Sequence, residues 1–145
     1  MRLTDDDCRA RLAAESVGRL ATVSPSGAPH IVPITFALRV DDRRSDELCF
    51  AIDHKPKSTT ELSRLRNLRH EPRVAILADA YDDDWSRLWW VRADGVAREL
   101  PVGDRRPALD ALAAKYGQYR EVRPDGPVVA VHIVRWTGWS AADPT

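Results

Sequence analysis

The stretch Gly18-Arg19-Leu20-Ala21-Thr22-Val23-Ser24-Pro25-Ser26-Gly27 predicts a β-strand that runs into a tight turn. Apolar and polar residues alternate over 17–23, which is the period of a half-buried strand. In the turn, proline presets its φ angle and glycine can adopt a positive φ. Residues 29–40 follow as a second strand, and Pro33 within it removes one ladder donor, which indicates an edge strand or a bulge. The sheet therefore begins with an antiparallel hairpin.

The rest of the chain supplies more strands than helices. Thr4, followed by three aspartates, predicts a helix over 4–14 that buries Cys8 and Leu12. The other predicted elements are a strand over 47–52, a helix over 58–69 with Leu62, Leu65 and Leu68 inward and Pro72 beyond its end, a strand over 73–80, one long strand or two shorter ones over 85–100, a helix over 104–116 with Leu109 and Leu112 inward, an irregular loop over 119–127 and a last strand over 128–139.

This order of elements favours a mainly β fold. Six or seven strands joined by hairpins predict an antiparallel closed or split β-barrel with flanking helices. The helices are too few and too scattered for a doubly wound parallel sheet. Because no repeat and no long linker divides the chain, we expect one domain over residues 1–145.

Charge, hydropathy and cysteine content exclude several classes of protein. The 22 basic residues are balanced by 22 acidic ones, which argues against a nucleic-acid partner. No apolar run approaches the roughly 18 residues of a membrane span. The acidic start of the chain does not resemble a signal peptide, so we expect a cytoplasmic protein. Cys8 and Cys49 fit no metal spacing and are expected to be free thiols, Cys49 as a small core residue.

The segment Asp53-His54-Lys55-Pro56-Lys57-Ser58, called the lysine segment below, joins a predicted strand to a predicted helix. A helix start offers unpaired backbone N–H groups and a positive dipole end, and both favour an anion. The two lysines add charge, and the hydroxyl groups that follow add donors. The segment is therefore a candidate phosphate site. The alternative interpretation is a solvated loop with an ordinary helix cap.

A second cluster, Trp85-Ser86-Arg87-Leu88-Trp89-Trp90-Val91-Arg92, is rich in tryptophan and arginine. On a strand, Trp85 and Trp89 would share one face and Trp90 the other. One interpretation is a core face and a subunit interface. The other is an aromatic wall for a flat ring, with Trp85 and Arg87 as candidate binding residues. Near the end of the chain, Gly138 between two tryptophans would permit close approach to a ligand.

Motifs for protein-based catalysis are absent from the sequence. It contains no nucleophile elbow, no Rossmann or P-loop glycine pattern and no cysteine near a histidine. The histidines at 30, 54, 70 and 132 lack metal-ligand spacing, and the three aspartates at 82–84 are typical of a solvated turn. We therefore expect no catalytic side chain and no metal.

Taken together, these motifs resemble a known family. The chain is similar to the split-barrel flavin and deazaflavin oxidoreductases, the pyridoxamine-phosphate-oxidase-like group, and especially to actinobacterial proteins regarded as dependent on coenzyme F420. The resemblance rests on residues 18–23, 26–34, 52–57, 64–74, 81–92 and 135–139. The block Asp84-Trp85-Ser86-Arg87-Leu88 is the more specific part.

The resemblance implies a homodimer with the cofactor at the interface between two barrels. Ile31, Val32, Pro33, Ile34 and Thr35 would line the flavin or deazaflavin ring, largely through their backbone. The lysine segment, which is Asp53, His54, Lys55, Pro56, Lys57 and Ser58, would hold the phosphate, with Arg64 as a further candidate. Which of the two lysines and Arg64 meets the phosphate stays open.

The resemblance also implies the chemistry. Reduced coenzyme F420 would transfer hydride to a small organic acceptor, and no protein nucleophile would be needed because the cofactor carries the hydride. One alternative is an FMN-dependent oxidase or reductase on the same fold. The other alternative is a carrier that binds a flavin or haem without catalysing a reaction. In a haem carrier, His30, His54 and His132 are the candidate axial ligands.

Overall fold

The structure, a computed structural model, describes residues 1–52 and 59–142, with residues 59–62 described by their backbone alone. The helices are α1 (Asp5–Ala14), α2 (Thr59–His70), α3 (Arg106–Lys115) and α4 (Gly117–Glu121). The strands are β1 (Gly18–Val23), β2 (Pro29–Ile34), β3 (Ala37–Val40), β4 (Asp46–Ala51), β5 (Arg73–Ala80), β6 (Trp89–Glu99) and β7 (Val128–Ser140). Single turns of 3₁₀ helix occupy Trp85–Arg87 and Val102–Asp104.

The seven strands form one sheet in the order β2-β1-β5-β6-β7-β4-β3, and every pair is antiparallel. The two edge strands, β2 and β3, are consecutive in the chain, with only Thr35 and Phe36 between them. In a flat sheet they would lie roughly 29 Å apart, because neighbouring strands are about 4.8 Å apart. Three Cα–Cα steps reach only about 11 Å. The sheet must therefore curl, and it forms a split β-barrel, as predicted.

The link between these edges corrects one prediction. The apolar run 29–40 is two strands on opposite edges of the sheet, and not one continuous strand. The expectation that Pro33 marks an edge is confirmed, because β2 pairs with β1 alone. The turn at Ser24–Gly27 is also confirmed: Gly27 has φ +87° and its N–H donates to the Ser24 carbonyl at 2.9 Å.

Strand β4 is buried on both faces and separates two apolar clusters. Leu48 and Phe50 point into the barrel, where the main cluster also holds residues of β1, β5, β6 and β7. Cys49 points the other way, into a second cluster against Ala108 and Leu112 of α3. Both cysteines of the chain are buried free thiols, as expected.

The helices pack against the strands: α1 against β6 and β7, α2 against β1 and β6, and α3 against β3, β4 and β7. The predicted α1 is confirmed: the Thr4 hydroxyl accepts a hydrogen bond from the Asp7 N–H at 3.2 Å, and Cys8 and Leu12 are buried. Helix α2 buries Leu65 and Leu68 against the main cluster. The prediction of an irregular loop over 119–127 is wrong at its start, because residues 119–121 belong to α4. No described helix is long and apolar enough to cross a lipid bilayer.

Candidate cofactor site

The predicted ring-lining residues lie on and just after the edge strand β2. Their side chains do not share one surface. Ile31 is 70% exposed and faces outward, in register with Ala21, whereas Ile34 is buried in the barrel. Val32 packs partly against the core, and Pro33 faces outward. A ligand along this strand would therefore meet the backbone edge together with outward side chains, since an edge strand has no partner on its open side.

Thr35 and Phe36, called the crossover below, are held by two tyrosines of the helical layer. The Tyr116 hydroxyl accepts a hydrogen bond from the Phe36 N–H at 3.0 Å and lies 2.8 Å from the Ser16 carbonyl, to which it donates. The Tyr119 hydroxyl lies 2.8 Å from Thr35 Oγ1. The two rings meet edge to face, with centroids 5.6 Å apart. The crossover is therefore fixed from α3 and α4.

A cleft of about 340 Å³ opens at the end of β4, beside the crossover. Its described lining is Ala51, Ile52, Tyr119, Val122, Arg123, Pro124 and Asp125. The Ile52 N–H donates to the Pro127 carbonyl at 2.8 Å, which ties the 122–127 loop to the strand end. Arg123 donates to the Asp110 carboxylate at 2.8 Å, so its guanidinium is anchored at the rim. One arginine and one tyrosine hydroxyl thus border an otherwise partly apolar cleft.

Ile52, the last described residue before the lysine segment, lines this cleft. The six residues of the segment, Asp53, His54, Lys55, Pro56, Lys57 and Ser58, lie outside the described residues, so their predicted phosphate contacts stay predictions. The described chain shows what surrounds them: buried Ile52 ends one side, and α2 begins at Thr59 on the other. The structure therefore confirms the strand and the helix that the sequence predicted on either side of the segment. Arg64 is half-buried in the second turn of α2.

The tryptophan cluster differs from its prediction. Trp85 and Arg87 belong to a 3₁₀ turn, and β6 begins only at Trp89. The reason is local: the Asp84 carboxylate accepts from the Ser86 N–H at 3.0 Å and from the Ser86 hydroxyl at 2.6 Å. These hydrogen bonds, which lower the pKa of Asp84, favour a capped turn over an extended strand.

Trp85 therefore stands clear of the sheet, with 76% of its surface exposed. Arg87 is also exposed, and its Nε lies 3.7 Å from the Asp82 carboxylate. Within the described part of the chain, no hydrogen bond or ion pair joins either residue to the crossover, and neither lines the cleft. Side chains alternate between the two faces of the sheet only from Trp89 onward. Trp89 packs against the core, and Trp90 lies on the outer face opposite Trp139.

Gly138 packs closely against other residues of this protein, which leaves no room for a ligand. A Cβ atom there would lie 2.7 Å from the Cys8 sulfur and 3.1 Å from the Trp90 carbonyl oxygen. The glycine is thus required where β7 passes under α1. The prediction that Gly138 admits a ligand is wrong, because the space beside it is filled.

The outer face of the barrel carries exposed apolar residues next to β2. The register places Ile31, Ala21 and Ala75 in one row across three strands. A shallow depression of about 380 Å³ beside them is lined partly by Val96 and Val134. Exposed apolar surface of this kind is typical of an interaction site.

Histidines and acidic residues do not gather into a metal site in the described chain. No three His, Cys, Asp or Glu side chains lie close enough together there to hold a metal ion. His30 and His132 are exposed on β2 and β7, strands that β1, β5 and β6 separate in the sheet.

The curled sheet, its open β2 edge and the cleft at the end of β4 define a split β-barrel protein. Residues 4–140 match the Pyridoxamine 5'-phosphate oxidase family, and the chain belongs to that family.

One curated relative is the 5a,11a-dehydrotetracycline/5a,11a-dehydrooxytetracycline reductase of Streptomyces rimosus. It is 34% identical over 101 residues, which make up 66% of this chain and 65% of the relative. The match therefore spans less than two thirds of either protein.

Solved structures with the same fold include an FAD-binding protein from Mesorhizobium loti, at 23% identity and a TM-score of 0.67, with 95% of each chain covered. A haem-binding protein from Mycobacterium smegmatis matches at 21% identity and a TM-score of 0.64, over 94% of this chain and 60% of that one.

Sequence reasoning missed three residues of this region. Tyr116, Tyr119 and Arg123 fall in a stretch from which we predicted only a helix end and a loop. The spacing of the two tyrosines hints at a shared helix face. Nothing in it points to the crossover, however, because Thr35 lies 84 residues from Tyr119 in the sequence.

Proposed function

We propose that this protein is an oxidoreductase that uses reduced coenzyme F420 to transfer hydride to a small organic acceptor. The observation that carries the proposal is the contact between the crossover at the open β2 edge and Tyr119, which lines the cleft at the end of β4. A reductase relative at 34% identity supports the reaction class.

The residues present fit a flavin-type cofactor. The start of α2 offers backbone N–H groups to a phosphate, and Lys55 and Lys57 would neutralise its charge. The backbone of Ile31–Thr35 would position the ring, while Ile34 keeps water out of the barrel side. The cofactor would supply the hydride, and the protein would bind it, orient it and limit access of water.

A second copy of the chain would complete the site. The outer face beside Ile31 is apolar and exposed, and a ring lying along an edge strand is covered from one side only. We therefore propose a homodimer joined through this face. Sedimentation at micromolar concentration is expected to give a dimer, and Leu77→Glu on the same face is expected to give a monomer. A wild-type monomer would contradict the proposed interface.

The choice between cofactors is open to a direct titration. The protein is titrated separately with FMN, coenzyme F420 and haemin, and binding is followed by flavin or deazaflavin fluorescence and by the Soret band. Retained FMN without binding of the deazaflavin would replace our proposal with an FMN enzyme. A Soret band that is lost on replacing His30, His54 or His132 would favour a haem carrier instead.

The lysine segment has its own test. Replacing Lys55 and Lys57 together with Ala is expected to weaken cofactor binding at least tenfold, because each charge-assisted phosphate contact contributes about 1.5–3 kcal/mol. Arg66→Ala, an exposed residue of α2, serves as the control for a general loss of positive charge. Unchanged affinity in the double variant would remove the segment from the site.

A further inference from the structure

We propose that the hydroxyl pair of Thr35 and Tyr119 donates one hydrogen bond to an acceptor atom of the bound cofactor. Tyr119 positions the crossover through its own hydrogen bond to Thr35. The inference rests on the proposed function. It adds Tyr119 to the site and gives a role to the side chain of Thr35, which the resemblance placed beside the ring only through its backbone segment.

The two tyrosines that hold the crossover act differently. The Tyr116 hydroxyl contacts only backbone groups, namely the N–H and carbonyl of Phe36 and the carbonyl of Ser16. That hydroxyl is fully used. The Tyr119 hydroxyl instead contacts a side-chain hydroxyl, on Thr35, at 2.8 Å.

Proton counting gives the Thr35–Tyr119 pair a spare donor. Each hydroxyl carries one hydrogen, and their mutual hydrogen bond uses one of the two. Among the described residues, neither hydroxyl has another hydrogen-bond partner. If Tyr119 donates, the Thr35 hydrogen remains for an acceptor, and if Thr35 donates, the Tyr119 hydrogen remains. Either arrangement offers one O–H to a ligand.

The location of this donor fits a ligand rather than bulk solvent. Thr35 directly follows the edge strand β2 and is half-buried, and Tyr119 lines the cleft at the end of β4. The pair thus lies between the predicted ring-lining strand and the cleft at the end of β4. A carbonyl oxygen or an unprotonated ring nitrogen is the chemistry that such a donor recognises. Both occur in flavin and deazaflavin rings.

The test compares FMN and coenzyme F420 binding to the wild type with binding to Tyr119→Phe, Thr35→Val and the double variant. The single variant that removes the donating hydroxyl is expected to weaken binding threefold to tenfold, the range of one hydrogen bond. The other single variant leaves that hydroxyl in place without its partner and is expected to have a smaller effect. The double variant is expected to be no weaker than the poorer single variant, because the pair donates only one hydrogen bond to the cofactor. Thr35→Ser keeps the hydroxyl and is expected to bind within about twofold of the wild type.

Two further measurements separate positioning from a general structural role. The absorption spectrum of bound FMN is expected to shift in whichever of Tyr119→Phe and Thr35→Val removes the donor, since loss of a donor to the ring changes its electronic environment. Tyr81→Phe removes a hydroxyl from an exposed tyrosine of the β5–β6 turn and is expected to change neither affinity nor spectrum. Thermal unfolding of each variant shows whether it is folded, and Thr35→Ala takes the place of Thr35→Val if that variant does not fold.

The outcomes distinguish this inference from the proposed function. If the wild type binds FMN or F420 and both Tyr119→Phe and Thr35→Val bind it equally well with the same spectrum, the hydroxyl pair is not part of the site. If the losses in the two single variants multiply in the double variant, the two hydroxyls do not act as one donor, and the inference is wrong. If the wild type binds neither cofactor, the proposed function fails and this inference fails with it.

Discussion

Replacing Asp46 with Ala is expected to remove a three-way connection at the start of β4. The Asp46 carboxylate accepts from Arg9 Nε at 2.9 Å, from Arg9 Nη2 at 2.5 Å and from the Trp136 indole N–H at 3.0 Å. It therefore joins α1, β4 and β7. Its side chain is 19% exposed and that of Arg9 is 37% exposed, so solvent screens the pair in part.

The magnitude follows from this geometry. Breaking a fully buried ion pair costs about 3–5 kcal/mol and an exposed pair about 0.2–1 kcal/mol. The Asp46–Arg9 pair lies between these limits, and the buried Trp136 N–H would also lose its acceptor at a cost of about 1–3 kcal/mol. We expect a loss of about 2–4 kcal/mol in the free energy of unfolding. In a domain of this size, that lowers Tm by roughly 6–16 °C.

The assay is thermal and urea unfolding of Asp46→Ala beside Asp6→Ala. Asp6 also pairs with Arg9, at 2.6 Å, but its side chain is 92% exposed. The Asp6 variant is expected to unfold close to the wild type. Equal effects of the two variants, or no effect of Asp46→Ala, would refute the argument that Asp46 stabilises the fold because it is buried and accepts the Trp136 indole N–H.

The same pair predicts a pH dependence. The hydrogen bonds from Arg9, and then that from Trp136, lower the pKa of Asp46 in the folded protein. The stabilisation is therefore complete above the unfolded value of about 3.9 and is lost as the pH falls through the folded value. The gap in stability between the wild type and Asp46→Ala is expected to stay constant from neutral pH to about pH 5 and to narrow in stronger acid. A gap that widens in acid would contradict this.

Two further predictions concern the thiols and their surroundings. Gly138→Ala would place a methyl group against the Cys8 sulfur and is expected to lower the free energy of unfolding by about 1–3 kcal/mol, as measured in urea. Gly103→Ala, at a position where nothing lies within 4 Å of an added Cβ atom, is expected to change it little. Equal effects of the two variants would contradict the argument from crowding. Iodoacetamide is expected to leave both thiols unmodified until the protein unfolds. Burial raises the pKa of Cys8 and raises that of Cys49 to about 12, so little reactive thiolate forms at neutral pH. Rapid labelling of the native protein would count against their burial.

The sequence predicted correctly those elements that are stabilised by residues close together in the chain. Thr4 caps α1 because its hydroxyl reaches an N–H three residues away, and the turn at Ser24–Gly27 closes within four residues. Both depend on neighbours in the chain. The overall barrel class followed from the number and spacing of such elements, together with the family resemblance.

Features decided by distant residues were not predictable in this way. The break at Thr35 and Phe36 interrupts a run that looks continuous, because sheet closure determines it. The surroundings of Gly138 depend on Cys8, which lies at the other end of the chain. At Trp85, the strand pattern was overridden by the Asp84 side chain. The candidate site itself was predicted as two segments, and the tyrosines that connect them were missed.

The position of β7 in the sheet has a consequence for folding during synthesis. This strand is made after the other six, yet it lies between β6 and β4 and pairs with both. Until it emerges from the ribosome, the β3–β4 hairpin has no partner on its inner side and the barrel cannot close. The nascent chain therefore carries two separate half-sheets with unpaired edges, which is the state most prone to aggregation. Folding of this barrel must wait for its final strand, however stable the early hairpins are.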